Sequence, residues 1–166
     1  MLFDLDLSLG FNLPLMNSSI VPLPAVNTAI LNSHGEILLT LRSKTVREPL
    51  KWCLPGGHLE IGETWKVGAR RETAEELGVT TKNEIFCGVY SDPELTITQD
   101  VMPEGFRGQY VVAVFIATEW DGEFAPNDEV EDWDWFSLDN LPEPIIRSHP
   151  IRAIDALNFK GVPFVR

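Results

Sequence analysis

Positive charge, cysteine and long apolar runs are what this sequence has least of. Its 166 residues include 13 Lys or Arg against 25 Asp or Glu, a formal net charge of −12. That balance speaks against nucleic acid or an anionic membrane surface as partner, because both need a basic field, and an anionic substrate would need cations supplied locally. The two cysteines, Cys53 and Cys87, stand far apart with no CxxC pair and no His-containing metal spacing, so they read as buried reduced thiols. No stretch reaches the roughly 18 apolar residues of a membrane span. No basic residue precedes Arg42. A secretory signal opens with a basic segment and a transit peptide is Arg-rich, so the cytoplasm is the expected compartment. Internal repeats and low-complexity tracts are lacking as well.

What is present is the composition of one globular domain, 44% hydrophobic and 23% charged. Leu5, Leu7 and Leu9 alternate with Asp4, Asp6 and Ser8, a strand period that makes residues 1–24 an extension. It could be an edge strand or the arm of a homodimer, or equally a loosely docked terminus. Residues 25–31 and 36–41 read as strands joined by Asn32, Ser33, His34 and Gly35, which have hairpin-turn chemistry, with His34 exposed. A basic loop, 43–51, leads to Trp52, Cys53 and Leu54. Thr64 to Leu77 is rich in helix formers and stopped by Gly78. Ile85 to Tyr90, Tyr110 to Thr118 and Asp132 to Leu138 read as further strands, and Pro150 opens a last helix through Phe159. The loop of about twenty residues between the strands ending at Tyr90 and starting at Tyr110 is too long for mere connection. Without a regular βαβα alternation, an α/β fold with a mixed sheet and helices on its faces is expected, residues 25–166 forming one domain.

The chemistry concentrates between Gly56 and Val79. On a helix, Glu72, Glu75 and Glu76 fall within an arc of about 100° and share one face, while Trp65, Ala69, Thr73, Ala74 and Leu77 supply a stripe toward the core. Three like charges at this spacing repel one another, and two of them lie in the last turn, where the helix dipole disfavours them. A bound cation would resolve both problems, and an all-oxygen set suits a hard divalent ion such as Mg²⁺. A solvated acidic face is the competing reading. Gly68, one turn before Glu72, leaves room above the carboxylates, and Arg71, one turn before Glu75, can pair with them. Gly56 and Gly57 allow close backbone approach and free a carbonyl as a ligand.

Gly57, five residues, Glu63, seven residues, Arg71-Glu72, Thr73, Ala74, Glu75-Glu76, Leu77, Gly78, Val79 spells GX5EX7REUXEEXGU, with U usually a bulky aliphatic and Thr73 the single departure. The segment resembles the box of the Nudix family, and the likeness runs from about residue 25 to 158 through Trp52, Leu54, Pro55, Trp135-Phe136 and Leu141-Pro142. The resemblance implies an α/β/α sandwich and hydrolysis of a nucleoside diphosphate linked to another group X. It further implies that Glu72, Glu75 and Glu76 with the Gly56 carbonyl hold Mg²⁺, or Mn²⁺ in its place, and that Arg71 and Glu63 form a supporting ion pair. For the general base the candidates are Glu75 and an acid of the run from Glu119 to Glu143, where ten acidic residues occur without a Lys or Arg. Glu129 is the first choice there and Glu131 its neighbour.

Arg42, Lys44, Arg47 and Lys51, with Lys66, Arg70 and Arg71, form a candidate phosphate-facing patch, in which Arg42 and Arg47, with Gly57, are the substrate-binding candidates. Leu38 to Ser43 is similar to the opening of the coenzyme A diphosphatase signature but lacks its later glycine, which ranks that activity low. Tyr90-Ser91-Asp92-Pro93 resembles members that cleave ADP-ribose and related nucleotide sugars. A nucleotide-derived small molecule of that kind is the leading substrate. A modified nucleoside triphosphate is the alternative, and a non-catalytic nucleotide-binding module ranks third.

Overall fold

The computed structural model describes residues 22–98 and 108–166. The alternating leucines of residues 5–9 lie outside them. In chain order the elements are β1 (Leu23–Ile30), β2 (Ile37–Arg42), β3 (Trp52–Cys53), β4 (Gly56–His58), α1 (Trp65–Leu77), β5 (Thr80–Lys82) and β6 (Ile85–Tyr90). Then follow α2 (Pro93–Thr96), β7 (Ile97–Thr98), β8 (Gly108–Ala117), β9 (Glu119–Asp121), β10 (Val130–Phe136), a 3-10 turn (Leu138–Asn140), α3 (His149–Leu157) and β11 (Phe164–Val165).

The main sheet runs β11-β6-β8-β1-β4, with β7 paired to β8. β1 lies parallel to β8 and antiparallel to β4, so the sheet is mixed, as expected. Strand alternation assigns its two faces. Val112, Val114 and Ile116 of β8 pack with Ala29, Cys87 and the Ala153 and Ala156 of α3. Ala113 and Phe115, on the opposite face, pack with Val26 of β1 and Ala69 of α1. One helix therefore covers each face, which makes the α/β/α sandwich.

Three expectations need correction. β1 starts at Leu23, two residues before the strand start expected at Ala25, because Leu23 and Pro24 already pair with Tyr110 and Val111. The strands around His34 are not a paired hairpin. They share a single bridge, Leu31 to Ile37, and β2 leaves for a second sheet, β10-β2-β3, where its fully buried start finds partners on both edges. Finally, Ala74 is exposed and takes no part in the buried stripe of α1, whereas Gly68, Ala69, Thr73 and Leu77 do.

α1 has the signals its sequence carries. The Thr64 side chain caps its start by accepting from the Val67 N–H at 3.3 Å, and Gly78, at φ 72°, closes its end in the left-handed region, donating its N–H to the Ala74 carbonyl. Leu77 anchors the last turn among Ile30, Leu38 and Val79, with Trp133 and Trp135 of β10 packed over that cluster. Part of the long loop after Tyr90 is α2 and β7. Cys53 and Cys87 are both buried and free, and no helix among the described residues is long and apolar enough to cross a membrane.

Candidate active site

The helix face of glutamates and the loop before it are tied together by one side chain. Arg71 grips Glu63 with a fork, Nε to Oε1 at 2.8 Å and Nη2 to Oε2 at 3.1 Å. Its other nitrogen reaches Glu72 and Glu75, both at 2.9 Å, and Nη2 also donates to the His58 carbonyl at 2.9 Å. The Arg71 guanidinium holds Glu63 below the usual carboxylate range, helped by the Glu60 N–H, which donates to Glu63 at 3.0 Å. Arg71 therefore fixes α1 against the loop from β4, and Glu72 and Glu75 are bent toward it.

Glu76 is turned the other way. Only 7% exposed, it accepts the Gly56 N–H at 3.1 Å. Burial pushes its carboxyl up to about 8, against the pull of that N–H, and the charges of Glu72 and Glu129 push the same way. Burial also raises Glu72, with Arg71 opposing. The two glycines of the loop are required by contact. A Cβ on Gly57 would fall 2.6 Å from Glu72 Oε1, and one on Gly56, at φ 141°, would collide with the Val26 carbonyl of β1. Gly68 has a different task from the one expected: a Cβ there would meet Leu59 at 2.8 Å and Glu63 at 3.1 Å, so it admits the loop rather than a ligand.

Glu129 reaches the same place from the far end of the chain. The Asn127 N–H donates to the carbonyl of Glu76 at 3.0 Å, and the Ser43 N–H at the end of β2 donates to the carbonyl of Glu129 at 2.8 Å, which pins the loop before β10 to α1. Glu131 lies outside the cavity lining and pairs with Lys44 at 3.5 Å.

These groups line one cavity of about 500 Å³, which gathers Gly56, Gly57, Arg71, Glu72, Glu75, Glu76 and Glu129 with Arg42 and Arg47. Glu63 stands behind Arg71, outside it. Of the basic patch, only Arg42, Arg47 and Arg71 face the cavity. Lys66 and Arg70 hold the buried Glu84 on the other side of α1, and Lys51 pairs with Glu48. The wall also contains residues that the sequence reading missed: His58, Tyr110, Asn27, His149 and Arg152. Tyr110 packs its ring on His58, centroids 5.5 Å apart, and accepts from Arg47 at 3.4 Å. Asn27 and Arg152 meet at 2.9 Å across the sheet and α3.

Among the described residues no three His, Cys, Asp or Glu side chains stand together as a ready metal-binding group. Arg71 takes Glu72 and Glu75, while Glu76 takes the Gly56 N–H. The donor chemistry fits a hard divalent cation. All candidate ligands are oxygens, and burial raises both Glu72 and Glu76, so a cation bound beside them would favour their ionised forms.

Residues 21–157 match the family model described as the NUDIX domain. The chain belongs to the NUDIX family. With it go the hydrolases that act on phosphoanhydride bonds. The chain is 35% identical over 123 residues to an ADP-ribose pyrophosphatase of Methanocaldococcus jannaschii, covering 72% of this chain and 66% of that protein, a little under two thirds of its length. It is 31% identical over 137 residues to an RNA pyrophosphohydrolase of Caulobacter vibrioides, covering 74% and 76%. Among solved structures, the MutT NUDIX hydrolase of Burkholderia pseudomallei superposes with a TM-score of 0.66 at 30% identity, over 83% of this chain and 97% of that one. The second relative is named for RNA, which runs against the expectation that charge excludes nucleic acid. Net charge governs the far field of a protein, whereas a group inside one pocket meets the local charges.

Proposed function

We propose that this NUDIX hydrolase cleaves the diphosphate of a nucleoside diphosphate linked to X, with ADP-ribose and sugar nucleotides as the leading substrates and Mg²⁺ as the cation. The observation that carries the reading is the convergence of the box glutamates, Glu129 and two arginines on one cavity of about 500 Å³, a size suited to a nucleotide-derived ligand. Its 35% identity to an ADP-ribose pyrophosphatase supports the substrate class. Residues 25–166 act in this reading as one domain, since β1 and α3 both build the cavity.

Glu72, Glu75 and Glu76, with the Gly56 carbonyl, would hold the cation, and Mn²⁺ would serve in its place. When bound, it neutralises the diphosphate oxygens and makes water easier to deprotonate. The chain's own residues do the rest. Arg71 and Glu63 keep α1 and the glycine loop in register, so the carboxylates stay within reach of a common point. Arg42 and Arg47 bind phosphate oxygens at the cavity wall, with Gly57 giving them backbone access. Glu129 accepts the proton of the attacking water, Glu75 being the second candidate, and the water oxygen then bonds to phosphorus as the P–O bond to the leaving phosphate breaks.

A second reading, release of pyrophosphate from a nucleoside triphosphate or from the 5′ end of an RNA, is favoured by the relatives named RNA pyrophosphohydrolase. A panel of ADP-ribose, UDP-sugars, nucleoside triphosphates and 5′-triphosphorylated RNA, assayed with Mg²⁺ and read by product mass, tests both. ADP-ribose yielding AMP and ribose phosphate supports the first. Pyrophosphate from the triphosphates alone would replace it with the second.

A further inference from the structure

Arg152 is a cation buried without an anion. It is 3% exposed and lines the cavity, and the ion pairs among the described residues leave it out. One guanidinium nitrogen donates to Asn27 Oδ1 at 2.9 Å, and Nε, shut off from solvent, has no hydrogen-bond partner among the described residues. Asp155, one turn further along α3 and also buried, would be its natural partner. Its two oxygens are instead taken by the fork of Arg166, at 2.7 and 2.8 Å, and by the Tyr90 hydroxyl at 2.9 Å. What faces Arg152 from the sheet is the Tyr90 ring, its centroid 5.7 Å from the guanidinium carbon. A buried charge with so little compensation is strongly unfavourable unless something anionic completes it.

The neighbours of Arg152 have used up their acceptors. Asn27 gives its carbonyl to Arg152 and its amide to the Leu54 and Pro55 carbonyls, at 3.5 and 3.4 Å. His149 accepts the Leu54 N–H on Nδ1 at 2.8 Å, so its ring proton sits on Nε2 and the side chain can only donate. The wall built by α3 thus offers donors, one of them a full charge. It stands beside the glutamate face: Asn27 lies against Gly56, where a Cβ would meet its amide at 2.8 Å, and the Gly56 N–H is bonded to Glu76.

We propose that Arg152, with the Nε2–H of His149, forms a subsite for a phosphoryl group of the substrate, a ligand edge that is anionic and accepts hydrogen bonds without donating any. The inference rests on the hydrolase reading and deepens it, because it makes Arg152 a substrate-binding residue outside the NUDIX box. A purine edge with two acceptors, such as that of guanine, shares the hydrogen-bond pattern but not the charge, and the test separates the two. The source of the group, an intact substrate or the phosphate it releases, is separated by comparing pyrophosphate with inorganic phosphate.

The experiment is calorimetric titration of the full chain, in chelator and without divalent cation, with inorganic pyrophosphate, inorganic phosphate and guanosine. Arg152→Gln should weaken pyrophosphate binding tenfold or more. Arg152→Lys, which keeps the charge and loses the fork, should weaken it less, and guanosine binding should change in neither. A melting temperature for ligand-free Arg152→Gln that equals or exceeds the parent's is expected from relief of the buried charge. Pyrophosphate affinity unchanged within twofold, or a loss confined to guanosine, would overturn the proposal. If Arg152→Gln does not fold, Arg152→Lys decides: it must bind pyrophosphate at least about threefold more weakly than the parent, and an affinity equal to the parent's overturns the proposal. Failure of the hydrolase reading looks different. Pyrophosphate bound through Arg152 with no phosphoanhydride cleaved under Mg²⁺ removes the activity and leaves the subsite, whereas turnover with an unchanged KM in Arg152→Gln removes the subsite and leaves the activity.

Discussion

Glu76→Gln should make the metal-free protein more stable, and increasingly so as pH rises. The Glu76 carboxyl is raised from 4.5 to about 8, first by burial and then by the charges of Glu72 and Glu129. An unfolded chain ionises this group near 4.5 while the folded one keeps its proton, so stability is intact below 4.5 and is lost as pH climbs toward 8. The slope approaches ~1.4 kcal/mol per pH unit, and the full window amounts to about 5 kcal/mol as an upper bound. Local relaxation and water entry reduce such penalties, so a loss of about 2 kcal/mol between pH 5 and 8.5 is expected for the parent. Glutamine keeps the shape and an oxygen for the Gly56 N–H but cannot ionise, so the variant lacks this component. Urea unfolding in chelator, followed by tryptophan fluorescence across that pH range, measures both curves. Adding Mg²⁺ at pH 8 should restore the parent far more than the variant, because a cation favours the ionised carboxylate. Parallel curves for the two proteins, with equal Mg²⁺ responses, would mean that Glu76 carries neither the pH dependence nor the cation.

Five further substitutions separate positioning from folding. Gly57→Ala should fold but lose about 100-fold in turnover, since its methyl pushes the Glu72 carboxylate out of place, whereas Gly56→Ala, against the Val26 backbone, should yield little folded protein in an expression trial. Glu129→Gln should lower kcat by about 10²–10⁴-fold, the range for a lost general base, with Glu131→Gln near parental; equal effects would mean that the acid was misassigned. Arg71→Lys keeps charge but loses the fork to Glu63, and should cost about 1–3 kcal/mol of stability in chemical denaturation together with a drop in kcat.

The legible parts of this molecule are those where local chemistry decides. The cap at Thr64, the stop at Gly78 and the common face of Glu72, Glu75 and Glu76 all follow from helix geometry, which is why α1 and its pairing through Arg71 could be read directly. The partition of the strands could not. Ile37 to Thr40 is apolar enough to sit in either sheet, and only its burial between β10 and β3 decides. Gly68 looked like space for a ligand because helical spacing reports a face but not which loop presses on it. Arg152 was missed for a related reason. Its signal, an arginine in helical register with the buried Ala153 and Ala156, is weak unless Asn27 is known to lie across from it, and that contact spans most of the chain.

If the glutamate face hydrolyses a nucleoside diphosphate linkage with the help of a divalent cation, both the cation and the water must leave their mark on the products. Incubation with ADP-ribose in ¹⁸O-labelled water, with Mg²⁺ and in matched excess chelator, tests both with a single mass measurement of the products. AMP and ribose phosphate are expected in equal amounts with Mg²⁺, one of them carrying one labelled oxygen, and neither product in chelator. Equal yields with and without chelator, or products without label, would contradict that mechanism.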